Sequence, residues 1–369
     1  MLLKDLAKVA GVSLSTVSRA LHGDPRISEP TRQRIQAIAD REHFVLSKSA
    51  SALASRKSFR ITALFVDHFN TWFTSTSLEG LYSVIETSDY DLFPLALHTP
   101  EELDRYFRSL SKNNNTDGII ISSIHLSKKH TEQLAASHIP VVGLDSYGTQ
   151  GYDAAIILNN ERSMTIAAQT IKRLGHTTIG FVHYPQPGLF RDYSYSERIP
   201  QFESICKAQG YTSQSFEHFT SEDGRADKAG VESIITRWES SQVQPSVLFV
   251  ETDDFAITLL SALREHGFRV PEDVSVVGFD DNPVSQLIGL ATFRQNALEN
   301  AHYAAHTMLD LLQTSSAKHC AGSYHAANAP DDELFHEDET AFIQRRTLAK
   351  AKGAAKAKGV TKAKTRNKH

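Results

Sequence analysis

The sequence predicts a small all-α domain at the amino end, arranged as a helix-turn-helix, followed by a larger α/β domain of two lobes. Three observations predict it. Apolar residues up to about residue 46 recur at helical spacing between turn residues; from residue 61 short β-rich apolar runs alternate with helical stretches; and the charge is segregated along the chain. Residues 1–58 carry ten Lys/Arg against five Asp/Glu, and residues 348–369 carry eight Lys/Arg and no acid. The net charge of −4 therefore leaves 59–347 strongly acidic. Basic ends around an acidic body direct the ends, not the body, to a polyanion.

In the first helix Leu3, Leu6, Ala7 and Ala10 follow i, i+3, i+4, i+7. Gly11 is placed to end that helix and Ser13 to cap the next, in which Val17, Ala20 and Leu21 face inward and Leu14, Ser15, Ser18 and Arg19 outward. After the turn-rich "HGDPR", Ser28 is the expected cap of a third helix, with Pro30 in its first turn and Ile35, Ile38 and Ala39 inside. "SKSASALASRKS" (47–58) is small, polar and Ala-rich and reads as a linker able to become a short helix.

The body contains "ITALFVD", "DLFPLAL", "DGIIIS", "IPVVGLD", "AAIIL", "TTIGFVHY", "SVLFVE" and "VSVVGFD". Continuous rather than alternating apolar runs mark strands buried on both faces, as in a parallel α/β sheet. Several end in a polar residue (Asp67, Ser122, Asp145, Asp280), and carboxyl ends of parallel strands are where open α/β folds hold small molecules. The stretch 59–347 is long for one such sheet, so two lobes around a cleft are expected. Beyond them, "NAPDDELFHEDET" is an acidic insertion, and 348–369 is a low-complexity basic tail expected to be disordered in isolation.

Composition excludes several classes. Two cysteines, Cys206 and Cys320, in no Cys-x-x-Cys setting, argue against a disulfide scaffold and for a reducing cytosol. No apolar run suits a signal peptide or a membrane span, so a cytoplasmic protein without membrane contact is expected. The 17 histidines show no metal-ligand spacing and no phosphate-cradling glycine motif occurs, so neither metal nor cofactor is expected. Asp280 and Asp281 are adjacent; on a strand they would point to opposite faces, whereas acid/base catalysis needs carboxyls converging across one cleft. An enzyme is not expected.

A helix, a tight turn and a hydroxyl-rich helix with one arginine suit DNA. Small hydroxyls let a helix approach the backbone and donate to phosphate, an arginine forks onto a guanine edge, and the helix amino end offers unpaired N–H groups. "LKDLAKVAGVSLSTVSRALHGDPRISEPTRQRIQAIADREHF" resembles the N-terminal domain of the LacI/GalR family of bacterial transcription regulators, with "AGVSLSTVSRAL" its most specific part. "DGIIIS", "IPVVGLD", "LGHTTIGFV", "VPEDVSVVGFDD" and "FRQN" follow in that family's order, so the resemblance covers residues 3–347.

The resemblance implies a helix-turn-helix domain (1–46), a hinge (47–58) and a two-lobed, periplasmic-binding-protein-like effector and dimerisation domain (59–347). The lobes implied are 59–158 with 287–320 and 159–286 with 321–347. Leu14, Ser15 and Arg19 fall where the family reads bases; Ser13, Thr16, Ser18, Ser28 and Thr31 fall where it grips phosphate; and Ala50 and Leu53 fall where its hinge enters the minor groove. In the body, "NTWF" places Trp72 and Phe73 in the cleft, "SERIPQF" places Arg198 at the effector-binding arginine, and "GFDD" places Asp280 at an acid that accepts from sugar hydroxyls. Ser122 and Asp145 end neighbouring strands, and Thr252 stands where the family often has Asn. Departures are Leu46 for a hinge proline, Asn159 and Ser163 in "NNERS" for an acid and a glycine, and Gln201 for a glycine.

The function implied is an effector-gated repressor of carbohydrate genes, acting as a homodimer on near-palindromic double-stranded operator DNA, with a sugar-like small molecule as effector. The alternative is a sugar-binding protein without a DNA-binding role.

Overall fold

The computed structural model describes residues 3–21, 24, 26–44, 57–110, 115–183, 197–217, 228–318 and 334–352. Three helices open the chain: α1 (Leu3–Ala10), α2 (Leu14–Leu21) and α3 (Glu29–Arg41). Leu6, Ala7, Ala10, Val17, Ala20, Ile35 and Ala39 form their shared core, with Leu3, Leu21 and Ile38 packed half-buried against it. Gly11 adopts φ +63°, a left-handed conformation that a Cβ would strain, and the amide of Val12 returns to the Ala7 carbonyl. This turn sets the angle between α1 and α2.

The body holds two parallel sheets. The first runs β11-β5-β4-β3-β1-β2, from β1 (Arg60–Phe65), β2 (Asp91–Ala96), β3 (Gly118–Ser122), β4 (Val141–Ser146), β5 (Ala154–Asn159) and β11 (Phe335–Glu339). The second runs β7-β6-β8-β9, from β6 (Thr178–His183), β7 (Thr212–Glu217), β8 (Val247–Val250) and β9 (Ser275–Val277). Each is covered on both faces. On the first sheet, α4 (Trp72–Ile85) and α12 (Ala297–Lys318) pack one face through Leu81, Ile85, Ala301 and Met308, and α5 (Pro100–Leu110) and α6 (Lys128–Ser137) pack the other through Phe107 and Leu134. Gly80 lets α4 touch α12, since a Cβ there would lie 2.7 Å from Ala301 Cβ and the Leu298 carbonyl oxygen. On the second sheet, α7 (Glu161–Arg173) and α8 (Arg198–Ala208) cover one face and α9 (Lys228–Glu239) and α10 (Asp253–Glu265) the other.

The chain passes from one sheet to the other at β5 to α7, at β10 (Thr292–Arg294) to α12, and at β11 to β12 (Ala341–Ile343). Strands β10 and β12 pair antiparallel there, and the short α11 (Pro283–Ile288) precedes β10 in the chain. Among the described residues no helix is long and apolar enough to cross a membrane.

The structure corrects four expectations. Part of the acidic stretch is β11, which pairs in parallel with β5, so Phe335–Glu339 lies on the first sheet and not, as the range 321–347 implied, in the second lobe. The tail does not begin at 348: Leu348 is buried, Ala351 N donates to the Leu174 carbonyl at 2.8 Å, and Lys352 pairs with Asp273 at 2.6 Å. Ser28 stands at the N-cap of α3, but its hydroxyl meets Thr31 Oγ1 at 2.9 Å and caps no backbone amide. Asp280 and Asp281 follow β9 rather than lying on a strand, at φ 132° and 60°. Ala50 and Leu53 lie outside the described residues.

Candidate functional site

The amino-terminal surface is built by α2. Its cap forms as the sequence predicts: Ser13 Oγ accepts from Thr16 N at 3.1 Å and meets Ser15 Oγ and Thr16 Oγ1 at 2.8 Å each. Burying Val17 and Ala20 turns the opposite face out, so Leu14 is 51% exposed and Ser15 and Arg19 are exposed, while Thr16 and Ser18 are half-buried. Ser28 is exposed and Thr31 half-buried at the start of α3. Sequence reasoning missed the pair beside this face, in which Arg26 grips Asp24 through Nε and Nη2 at 3.0 and 2.7 Å and holds its carboxyl down to about 2.

The second site lies at the carboxyl ends of the two sheets. Ser122 ends β3 and Asp145 lies near the end of β4, both buried; Arg198 opens α8, and Asp280 follows β9, also buried. Arg198 is close enough for its charge to act on Asp145 and Tyr147, so the two sheets' carboxyl ends face one another. Its guanidinium sits 3.6 Å over the Phe279 ring, and Nη1 donates to the Glu251 carbonyl at 2.7 Å. Trp72 and Phe73, half-buried, form the first turn of α4, where Thr71 accepts from Thr74 N. Thr252 caps α10, its hydroxyl accepting from Phe255 N at 3.3 Å.

Burial sets the electrostatics. Asp145 is pushed up to about 7, chiefly by desolvation, with Asp338 adding a like charge and Asn300 and Arg198 opposing. Asp280 is raised well above the carboxylate range, first by burial and then by Asp253. It is held by Gln295 Nε2, which donates to Oδ1 at 2.6 Å, whereas Asp281 turns to Arg294 and Arg345 at 2.7 and 2.6 Å. The two neighbouring aspartates thus serve different partners because positive φ twists the chain between them. Asp145 also has positive φ, 51°. A non-glycine residue held there costs on the order of 1–3 kcal/mol, and such strain concentrates at functional sites.

Ser122 Oγ, His125 Nε2, Asp145 Oδ2, Arg198 Nε and Gln201 Oε1 are buried and have no partner among the described residues. Buried polar atoms are normally hydrogen-bonded, so each of these five is left able to take a polar partner. Of these residues, sequence reasoning singled out Ser122, Asp145 and Arg198 as site residues and Gln201 as a departure from the family motif. It missed His125, Phe279, Gln295 and Asn300; the motif "FRQN" was the only signal pointing to Gln295, and none pointed to Asn300.

Comparison with known proteins finds a match in each region. Residues 2–45 match the family model described as bacterial regulatory proteins, lacI family, and residues 168–322 match that of a periplasmic binding protein-like domain. The probable HTH-type transcriptional repressor ExuR of Bacillus subtilis is 26% identical over 86% of this chain and 93% of its own. A lacI-family transcriptional regulator of known structure from Silicibacter pomeroyi superposes with TM-score 0.72 at 26% identity, over 95% of this chain and 99% of that one. The lac repressor dimer bound to operator and the anti-inducer ONPF gives TM-score 0.73 at 21% identity, with the same coverage. The chain belongs to the lacI family of bacterial regulatory proteins and is a DNA-binding transcriptional regulator.

Proposed function

We propose that this regulator is a homodimeric repressor of carbohydrate-utilisation genes, acting in the bacterial cytoplasm and gated by a neutral, hydroxyl-rich small molecule held between the two sheets. The observation that carries this reading is the set of buried, unpartnered polar atoms at the facing carboxyl ends, between the Arg198 side and the Asp145 side. Carboxylate acceptors and the aromatic faces of Trp72 and Phe73 suit a sugar ring, whose hydroxyls donate and whose C–H face is apolar. In this reading Trp72, Phe73, Ser122, Asp145, Arg198, Thr252 and Asp280 contact the effector. Leu14, Ser15 and Arg19 read base edges in the major groove, and Ser13, Thr16, Ser18, Ser28 and Thr31 hold phosphates. Residues 47–58 join the two functions as the hinge.

In this reading effector and operator favour different states of one protein, so effector changes operator affinity by the difference in its affinity for the two. The test is fluorescence anisotropy on near-palindromic DNA with and without a panel of mono- and disaccharides, alongside thermal shift with the same panel. One sugar should both raise the melting temperature and change operator affinity. A protein that binds no palindromic DNA under any condition overturns the repressor reading, and one that binds DNA but responds to no sugar overturns the effector reading.

A further inference from the structure

The side-chain amide of Asn300, in the first turn of α12, donates from Nδ2 to Asp145 Oδ1 at 2.8 Å and to Asp338 Oδ2 at 3.0 Å. Asn296, one turn earlier, donates to the other oxygen of Asp338 at 2.7 Å. Asp338 lies on β11, immediately before the chain passes to β12, and is buried, as is Asn300. Both hydrogens of the Asn300 amide are thereby committed, both Asp338 oxygens are occupied, and Asp145 keeps one buried oxygen, Oδ2, without a partner.

We propose that Asn300 and Asp338 are positioning residues that fix Asp145 Oδ2 as the effector acceptor and select a hydroxyl donor over an anion at that end of the site. The inference rests on the effector reading above and adds residues to it. A carboxylate ligand placed at Oδ2 would meet two buried carboxyls, Asp145 and Asp338, whereas a sugar hydroxyl donates to the free oxygen. Because Asp338 is one residue from the passage between sheets, the same amide ties the acceptor to the segment that joins them.

Among the described residues, the groups acting on Asp145 lie on separate elements. Asp338 on β11 raises it, while Asn300 on α12 and Arg198 on α8 lower it; Tyr147, after β4, and Glu197, at the start of α8, share the same field. The two positioning residues therefore act on Asp145 with opposite sign, which a purely structural role does not require.

The test uses the full chain labelled with 13C at aspartate carboxyls, Asp145 being assigned by its loss in Asp145→Asn. Asp338→Asn should lower the Asp145 titration midpoint and Asn300→Leu should raise it, each by about one pH unit. In parallel, thermal shift with D-ribose, D-glucose and cellobiose, and with D-glucuronate as the anionic probe, reads selection. A neutral sugar should stabilise the parent more at pH 8 than at pH 6, glucuronate should not stabilise it, and Asn300→Leu should lose at least tenfold in apparent affinity. Asp338→Asn should retain sugar binding and move its pH dependence to lower pH. Equal Asp145 midpoints in all three proteins, or stabilisation of the parent by glucuronate alone, overturn the proposal. If no sugar stabilises the parent, the sugar reading fails, and the carboxyl titration still decides whether Asn300 and Asp338 govern Asp145.

Discussion

Asn300 and Asp145, 155 residues apart in sequence, are joined by a 2.8 Å hydrogen bond that links the long helix α12 to the end of strand β4. Asp145 is left with one satisfied and one unsatisfied oxygen in a fully buried setting, and burial pushes it up to about 7. A carboxyl kept in that condition is a cost to the folded protein, and its consequences are measurable.

The first concerns pH and stability. A raised folded-state value means the native state holds its proton more tightly, so this group favours folding below about pH 4 and ceases to as pH rises through about 7. Asp145→Asn should therefore match the parent's stability near pH 4 and exceed it increasingly up to pH 8, by a few kcal/mol. Urea denaturation across that range reads the difference, and a constant offset between the two proteins would contradict the assigned cause.

The second concerns the cleft. Arg198→Ala removes the guanidinium over Phe279 and the donor to the Glu251 carbonyl, and Asp280→Ala removes the acceptor held by Gln295. Each should abolish the change in operator affinity on adding effector, a coupling of about 1–3 kcal/mol. Anisotropy titrations in which either variant still responds like the parent would show that the effector sits elsewhere.

The third concerns base reading. Arg19 is exposed on α2, next to the buried Val17 and Ala20 that fix the helix. Arg19→Ala should weaken operator binding by roughly 1–3 kcal/mol and relax preference at one base position, as expected of a bidentate contact to guanine. An equal loss on operator and random DNA would mean the arginine holds phosphate only.

The fourth concerns symmetry. One helix-turn-helix of this size reads few bases, so a dimer on half-sites about one helical turn apart is expected. An isolated half-site should bind much more weakly than the near-palindrome; equal affinity for both would remove the dimer from the mechanism.

The fifth concerns the basic end of the chain. Lys352 pairs with Asp273 and Leu348 is buried, so removing 348–369 removes packing as well as charge. Deleting 353–369, with its six Lys/Arg, isolates the charge. Operator and random DNA should both bind less tightly, and the slope of log K against log salt should become shallower by roughly 0.9 for each phosphate that the shortened chain leaves unneutralised. Unchanged affinity and slope would leave these residues without a DNA role.

The sequence by itself determined the three-helix core, the inward positions of Leu6, Val17 and Ile35, the cap at Ser13 and the central strands. These are set by local periodicity and by apolar runs that can be stable only when buried on both faces. It also marked Ser122, Asp145 and Asp280, because polar residues ending such runs stand out, whereas Arg198 was marked only by the resemblance of its motif. Tertiary structure alone decided the edges: β7, "TSQSFE", and β11, "FHEDE", are polar, and each gains its strand conformation from the ladder of a neighbour rather than from its own pattern. The same holds for the partners of the site. Asn300 lies in an ordinary helix and Asp338 in a stretch that reads as an acidic insertion; only folding brings both to Asp145, where loss of water turns three separate polar side chains into a buried network with a near-neutral acid at its centre.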